Sequence, residues 1–221
     1  MITLSNDTLS VLKNFSTINP NVVLKPGQKI KTISDAKNIL AVASVAEDFP
    51  HDMGIYDLNE FLSVFSIVQD GKVEFTENSA KITNGKSHVK YFFAEPSILT
   101  TPQKDITMPD CEVNLTLTKS ILDQMRKAAS VLGHTEMAIV GSSDGIKLSI
   151  LDSKDSTSNT YEMEISSEAQ EKEYEFILNI SNLKLMDGDY EVGISSKLIS
   201  NWKNTTKPVE YFIALEKNSK Y

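Results

Sequence analysis

The feature that most constrains this chain is a short motif that occurs twice. The hexapeptide Val89–Ala94 (VKYFFA) returns as Val209–Ala214 (VEYFIA), and each copy falls at the end of a long block that an amphipathic helix pattern opens. The chain is therefore built from one module used twice. A duplicated module with no catalytic motif in either copy favours a symmetric scaffold over an enzyme.

Each block is predicted to begin with a helix. Apolar residues recur at helical spacing over Asn6–Ile18 in the first block and over Thr118–Leu132 in the second. The predicted apolar stripes are Leu9, Leu12, Phe15 and Ile18 on the first helix, and Ile121, Leu122, Met125, Ala129 and Leu132 on the second. Each helix should therefore bury one face and expose the other.

Strands and turns follow each helix in the predicted order. A short helical segment precedes an Asp-Gly pair in both blocks, and each pair predicts a turn into a strand. The segments are Asp57–Phe61 and Ile180–Lys184, the pairs Asp70-Gly71 and Asp187-Gly188, and the following strands Lys72–Phe75 and Tyr190–Ile194. Further strands are predicted at Gln28–Ile33, Ile39–Val45, Ile146–Leu151 and Tyr161–Ser166. The fold class is α+β, with sheets that bury one face.

A connector is predicted at Glu95–Asp110, where three prolines interrupt any helix or central strand. A length of 221 residues suits two ordinary domains, here 1–108 and 109–221. The connector also contains Ile98, Leu99, Ile106 and Met108. Because this is too much apolar surface for a solvated linker, we expect the connector to lie along the protein.

The distribution of charge says more than its total. A net charge of −8 argues against a conventional nucleic-acid-binding protein. The second helix nevertheless carries Lys119, Arg126 and Lys127 against Asp123 alone. Its polar stripe (Lys119, Asp123, Arg126, Ser130) has a counterpart on the first helix (Asn6, Ser10, Lys13, Thr17). An ordinary solvated helix face would show the same pattern, so repetition in both blocks is what favours a function.

Catalytic, metal and membrane signals are missing from the sequence. The histidines His51, His88 and His134 are scattered without metal-type spacing, and no phosphate loop or nucleophile elbow occurs. We expect no cofactor and no enzyme. The polar start of the chain lacks signal-peptide features, and a single cysteine, Cys111, fits a reducing compartment. An intracellular protein without a membrane segment is expected.

Four segments together resemble a known family. They are Leu4–Phe15, Ile55–Leu62, Leu183–Tyr190 and Tyr211–Glu216, and their order and spacing span both halves of the chain. The sequence resembles the sliding clamps of T-even-type bacteriophages. This resemblance implies a DNA polymerase processivity factor with two tandem clamp domains per subunit. It further implies a homotrimeric ring around double-stranded DNA, with helices lining the hole and antiparallel sheets outside.

The resemblance assigns roles to particular residues. The expected DNA-facing residues, which contact phosphates without base readout, are Lys13, Lys119, Arg126, Lys127 and Lys184. The strands Val89–Ala94 and Val209–Ala214 would otherwise leave open sheet edges, which closure of a heterologous interface into a ring can remove. We expect a strand of the first domain to pair with one of the second domain of the next subunit, and the sequence leaves open which strands these are. The first helix is poor in positive charge, so its share of DNA contact is open.

Partners are expected at an apolar groove beside the connector. The resemblance implies that tail peptides of the DNA polymerase and of the clamp loader bind at Ile98, Leu99, Ile106, Met108 and Leu215, although simple packing onto the core would also explain these residues. It places the protein in the cytoplasm of an infected bacterial host and leaves open whether phage transcription factors use the ring. The alternative is a structural or peptide-binding phage assembly protein that binds no DNA.

Overall fold

Two compact units divide the chain in the structure, a computed structural model that describes residues 1–221. The first unit consists of Met1–Ile106 together with Lys184–Met186 and Lys207–Tyr211. The second consists of Thr107–Leu183, Asp187–Thr206 and Phe212–Tyr221. Two short segments from the second half of the sequence therefore belong to the first unit.

The first unit contains two helices and seven strands. The helices are α1 (Asn6–Ile18) and α2 (Leu58–Ile67). The strands are β1 (Val22–Leu24), β2 (Gly27–Ile33), β3 (Ile39–Phe49), β4 (Met53–Ile55), β5 (Lys72–Phe75), β6 (Ser79–Thr83) and β7 (His88–Phe92). All the pairs in this unit are antiparallel: β1 with β4, β2 with β3, β5 with β6, and β6 with β7.

Helix α1 forms where the sequence predicts it. The Ser5 hydroxyl caps the helix by accepting a hydrogen bond from the Thr8 amide at 3.2 Å. Leu12 and Phe15 are fully buried, Ile18 is buried, and the helix packs against β2 and β3. The apolar stripe is thus the buried face, although Leu9 at its start is only half-buried.

Helix α2 is longer than the segment predicted at Asp57–Phe61. Asp57 caps it by accepting from the amides of Asn59 and Glu60. The helix then continues to Ile67 because Phe61 and Val64 are buried at helical spacing. Phe61 also packs edge-on against the ring of Tyr91 in β7, with ring centres 5.2 Å apart.

The second unit contains one α-helix and seven whole strands, and an eighth strand, Val209–Ala214, is divided between the two units after Tyr211. The helix is α3 (Lys119–Leu132), and the strands are β8 (Val113–Leu117), β9 (Glu136–Ser142), β10 (Gly145–Leu151), β11 (Tyr161–Ser166), β12 (Tyr174–Asn179), β13 (Tyr190–Ser195), β14 (Ile199–Asn204) and β15 (Val209–Ala214). One sheet has the order β11-β10-β9-β12, and β8, β13 and β14 pair in that order in the other. The segment predicted as helical at Ile180–Lys184 is a 3-10 turn over Ile180–Asn182.

Helix α3 has local signals at both ends. The Thr118 hydroxyl accepts a hydrogen bond from the Ile121 amide at 3.3 Å. At the other end Gly133 adopts the left-handed conformation (φ 72°), and its amide donates to the Ala129 carbonyl. Glycine allows this conformation without a side-chain clash, which is why the helix ends there. Leu122 and Met125 lie on its buried face.

The two copies of the hexapeptide occupy different environments, and this corrects one expectation. Strand β7 lies at the edge of the β5-β6-β7 sheet, as predicted for an open strand. Strand β15 lies between β3 and β14, so the expectation that Val209–Ala214 leaves an open edge is wrong. Tyr211 and Ile213 are fully buried and Phe212 is 8% exposed, because this copy is packed on both faces and both sides.

The end of the first unit and the start of the second have little regular structure. The predicted connector Glu95–Asp110 contains only a 3-10 turn, Pro96–Ile98, before β8 begins. None of the three helices is long and apolar enough to cross a membrane.

Candidate nucleic-acid interface

The polar face of α1 is exposed along its whole length. Asn6, Ser10, Lys13 and Thr17 all lie on the surface, opposite the buried apolar stripe. The amine of Lys13 takes part in none of the ion pairs of the structure. Lys13 is therefore the one residue of this face that can offer an uncompensated positive charge to a phosphate.

On α3 the first lysine of the polar face is already paired. The Lys119 amine lies 2.5 Å from the Asp123 carboxylate and 3.7 Å from that of Asp187. The hydrogen bond from Lys119, helped by the charge of Arg126, lowers the pKa of Asp123, while the same bond raises the pKa of Lys119. Both groups are thus charged at neutral pH and largely cancel each other.

The other two basic residues of α3 differ from each other. Arg126 is half-buried, and its guanidinium donates to the Leu183 carbonyl at 2.9 Å and lies 3.6 Å from Asp123. Lys127 is exposed and takes part in none of the ion pairs. Arg126 therefore holds the segment at Leu183 in place as well as carrying charge, and Lys127 is the free cation of this face.

The fifth predicted DNA-facing residue, Lys184, contacts the end of α1. Its amine donates to the Thr17 carbonyl, and its own carbonyl accepts from the Asn14 side-chain amide at 3.0 Å. Carbonyls in the last turn of a helix have no partner within the helix, and a cation beside them is stabilising. Helix α1 has no basic residue in its last turn, so Lys184 supplies the missing charge.

A residue that the sequence did not indicate holds the other end of α1. Glu47, near the end of β3, is 8% exposed and accepts hydrogen bonds from the Ser5 amide and the Thr8 hydroxyl. Burial by itself opposes ionisation, but the bonds from Thr8 and Ser5 outweigh it and lower the pKa of Glu47. No local pattern links Glu47 to a helix that begins some forty residues earlier.

The predicted groove residues have unequal exposure. Ile98 is 66% and Ile106 38% exposed, and Met108 is half-buried. Leu99 and Leu215 are buried, at 7% and 6% exposure. Only the first three retain enough surface to meet a partner, whereas Leu99 packs close to Gly54, as simple core packing requires.

Sheet edges differ in whether the chain covers them. Beside β5, Ile2 exchanges backbone hydrogen bonds with Val73, and beside β12, Lys220 does the same with Glu175. Strands β7 and β11 have no such cover. The outward side chains of β7 are His88, Lys90 and Phe92, and Phe92 is 64% exposed.

Sequence comparisons agree across the whole chain. The family described as DNA polymerase processivity factor matches residues 5–99, and the family described as gp45 sliding clamp, C terminal, matches residues 114–217. The sliding clamp of Vibrio phage KVP40 is 28% identical over 219 residues, which cover 96% of this chain and 98% of the relative. The sliding clamp of Enterobacteria phage T4 is 29% identical over 222 residues, covering 98% and 97%.

Two solved structures share the fold of this chain. The PCNA of A. fulgidus, in a structure with the C-terminal region of FEN-1 bound, superposes with a TM-score of 0.72 at 12% identity, covering 99% of each chain. The PCNA of Thermococcus kodakaraensis gives a TM-score of 0.71 at 12% identity, covering 97% of this chain and 99% of that one. At such low identity the likeness establishes the fold.

Proposed function

Because the chain belongs to the sliding clamp family of DNA polymerase processivity factors, we propose that three copies close into a ring around duplex DNA. The domains 1–108 and 109–221 would give the ring six related modules. Helices α1 and α3 would line the hole, and the sheets would form the outside. The alternative of a phage assembly protein without DNA binding is not favoured by these relatives.

The observation that carries the proposal is the pair of exposed helix faces in an acidic protein. Each face presents one unpaired lysine, Lys13 on α1 and Lys127 on α3, while the chain as a whole carries −8. Phosphate contacts of this kind are independent of base sequence and permit sliding. Lys119, Arg126 and Lys184 would add charge only after giving up the partners described above.

Because the helix faces carry few free positive charges, the protein would be retained on DNA by encircling it rather than by direct contact. With so few free cations, direct affinity at physiological salt should be no better than that of non-specific binders, about 10⁻⁴ to 10⁻⁶ M. A protein that must stay on DNA with such an affinity has to enclose it. The net negative charge of the protein would then disfavour most contacts with DNA outside the hole.

Ring closure would pair β7 of one subunit with β11 of the next. Both are edge strands without cover from a chain end. Their charges are complementary, since β7 carries Lys90 and β11 carries Glu162 and Glu164. Backbone hydrogen bonds would supply affinity and the charges would favour this partner over a second copy of either strand.

Polymerase and clamp-loader tail peptides would bind along the connector, where the side chains of Ile98, Ile106 and Met108 each keep exposed area. Short apolar peptides commonly bind such exposed patches. Phage transcription factors could compete for the same residues by the same chemistry. The relatives are phage proteins, so the ring would work in the cytoplasm of the infected bacterial host.

Retention on circular and linear DNA tests the proposal. The cognate loader would place the ring on closed circular DNA, and the complex would be washed at moderate salt. We expect the protein to stay until a restriction enzyme opens the circle and then to run off the free ends. Equal retention on both forms would show that direct binding holds the protein, and a stable dimer by sedimentation would exclude the three-subunit ring.

A further inference from the structure

One surface of the first unit has the opposite charge to the rest of the protein. A cleft of about 370 Å³ lies between β2 and the connector, and four lysines line it: Lys25, Lys29, Lys31 and Lys104. Three of them fall within a stretch that contains no acidic residue until Asp35. Pro26 and Pro102 provide a rigid, partly apolar wall. The volume of the cleft lies within the range of ligand clefts, about 300 to 1,000 Å³.

The cleft already holds one carboxylate, from the chain itself. The Lys31 amine forms an ion pair with Asp105 of the connector, whose side chain remains 81% exposed. The hydrogen bond and charge of Lys31, followed by the charges of Lys29 and Lys25, lower the pKa of Asp105. Lys25, Lys29 and Lys104 take part in none of the ion pairs, so one carboxylate faces four ammonium groups.

The cleft opens on the face of the sheet away from α1. Side chains alternate along a strand, so Ile30 and Thr32, both buried, share one face of β2, and Lys29 and Lys31 share the other. Helix α1 packs against β2 and β3, whose buried side chains Ala41 and Ala43 lie opposite Thr32 and Ile30. DNA that meets the polar face of α1 therefore cannot reach these lysines from the same side.

We propose that this cleft binds an acidic segment of a partner protein, in extended conformation, whose carboxylates meet Lys25, Lys29 and Lys104 and displace Asp105 from Lys31. The identity of the partner as a replication protein rests on the proposed function, but the chemistry of the cleft does not. Asp105 competes with the partner for Lys31, and its carboxylate neutralises part of the positive charge of the cleft until the partner binds. This acidic segment would add a charged contact to the apolar contacts that the partner makes with the connector.

Binding of a defined probe tests this directly. A fluorescein-labelled peptide of alternating Glu and Gly would be titrated with the intact protein at low salt, and the same peptide with Gln for Glu serves as its control. We expect only the Glu peptide to bind. The double variant Lys25→Ala/Lys29→Ala should bind it about fivefold more weakly, the order expected of two exposed ion pairs. The pair Lys154→Ala/Lys217→Ala, with the same charge change at exposed positions outside the cleft, should leave binding unchanged.

A second variant tests the role of Asp105. Asp105→Asn should raise the affinity for the Glu peptide by about threefold, because Lys31 becomes available to the peptide without first breaking an exposed ion pair of comparable strength. Asp110→Asn, which makes the same charge change in the connector outside the cleft, should have no effect. Carbodiimide cross-linking followed by mass spectrometry should link the peptide to the cleft lysines and to few others.

Several outcomes would overturn the inference. Equal weakening by the two lysine pairs, or cross-links spread over all lysines, would show general charge attraction. An unchanged or lower affinity of Asp105→Asn would show that Asp105 does not compete with the peptide for Lys31. Competition by an unlabelled DNA duplex at equal phosphate and carboxylate concentration would assign the cleft to nucleic acid. Retention of wild-type protein on circular DNA is measured in parallel, so that a failed cleft and a failed clamp give different results.

Discussion

Helix α3 is capped at both ends by residues directly beside it in the sequence, whereas the ends of helix α1 are also stabilised by side chains far away in the sequence. Thr118 and Gly133 flank α3 directly, and Lys119, Asp123 and Arg126 form ion pairs along its surface. Helix α1 has its own N-cap, Ser5, but its two ends are also held by Glu47 and Lys184. Two helices with the same proposed task therefore respond differently to mutation, and α1 is coupled to the rest of its unit.

The largest difference should appear at the N-termini. Glu47→Ala leaves the fully buried Thr8 hydroxyl without its acceptor, which should lower the free energy of unfolding by about 1 to 3 kcal/mol. Thr118→Ala at the equivalent end of α3 should cost about 1 kcal/mol, as an exposed N-cap does. Urea midpoints with unchanged m-values measure both. Equal costs would mean that Glu47 contributes no more than an ordinary cap.

The contribution of Glu47 to stability should depend on pH. The folded pKa of Glu47 is lowered from 4.5, so its ionised form stabilises the fold above that pH, and the contribution is lost as pH falls through the folded pKa. The urea midpoint of Glu47→Gln should therefore fall less steeply than that of wild type from about pH 5 to about pH 3. Glu74→Gln, at an exposed position of β5, is the control and should follow wild type.

Salt-dependent DNA binding tests whether the two helix faces act alike. Lys13→Ala and Lys127→Ala should each reduce the slope of log affinity against log salt by roughly 0.9 for every phosphate that the lysine no longer neutralises, uniformly across sequences. The variants should unfold like wild type, since both lysines are exposed and outside all ion pairs. A change in slope with Lys127→Ala alone would place the polar face of α1 away from the DNA.

The smallest effect is expected at the C-terminus of α1. Lys184→Met keeps the apolar stem but removes the cation at the Thr17 carbonyl, which should cost about 0.3 to 1 kcal/mol and less at high salt. Lys154→Met, at an exposed position outside the helix ends and outside all ion pairs, should be within error of wild type in the same unfolding experiment. If Lys184→Met changes the salt slope of DNA binding and leaves the free energy of unfolding unchanged, Lys184 contacts DNA rather than stabilising the end of α1.

Local features of the fold could be predicted from the sequence because their causes are local. The apolar stripes, the caps at Thr118 and Asp57 and the turn at Asp70-Gly71 each involve residues within a few positions of one another. Strand β3 runs beyond the predicted end at Val45 to Phe49, since Glu47 and Asp48 look polar until the partner of Glu47 is known. The partners of Glu47 are Ser5 and Thr8, and no periodicity connects them with it.

In the candidate site, too, features with local causes could be predicted and features that depend on distant residues could not. Exposure of the polar faces follows from helical spacing, so Lys13 and Lys127 are where the pattern predicts. The roles of Lys119, Arg126 and Lys184 depend on acceptors at Asp187, Leu183 and Thr17, which only the fold brings near. Likewise the hexapeptide repeat predicts two strands, but neighbours in the sheet decide that β7 is an edge and β15 is not.

The open edge of β7 also has a consequence for the isolated chain. Unpaired backbone groups lie beside the exposed Phe92, the kind of edge that seeds aggregation. Lys90 holds its amine 4.6 Å from the centre of the Phe92 ring, which covers the apolar surface with a charge that must be hydrated. Self-pairing of two such strands would bring like charges together. The same lysine would thus protect the isolated chain against edge-to-edge aggregation.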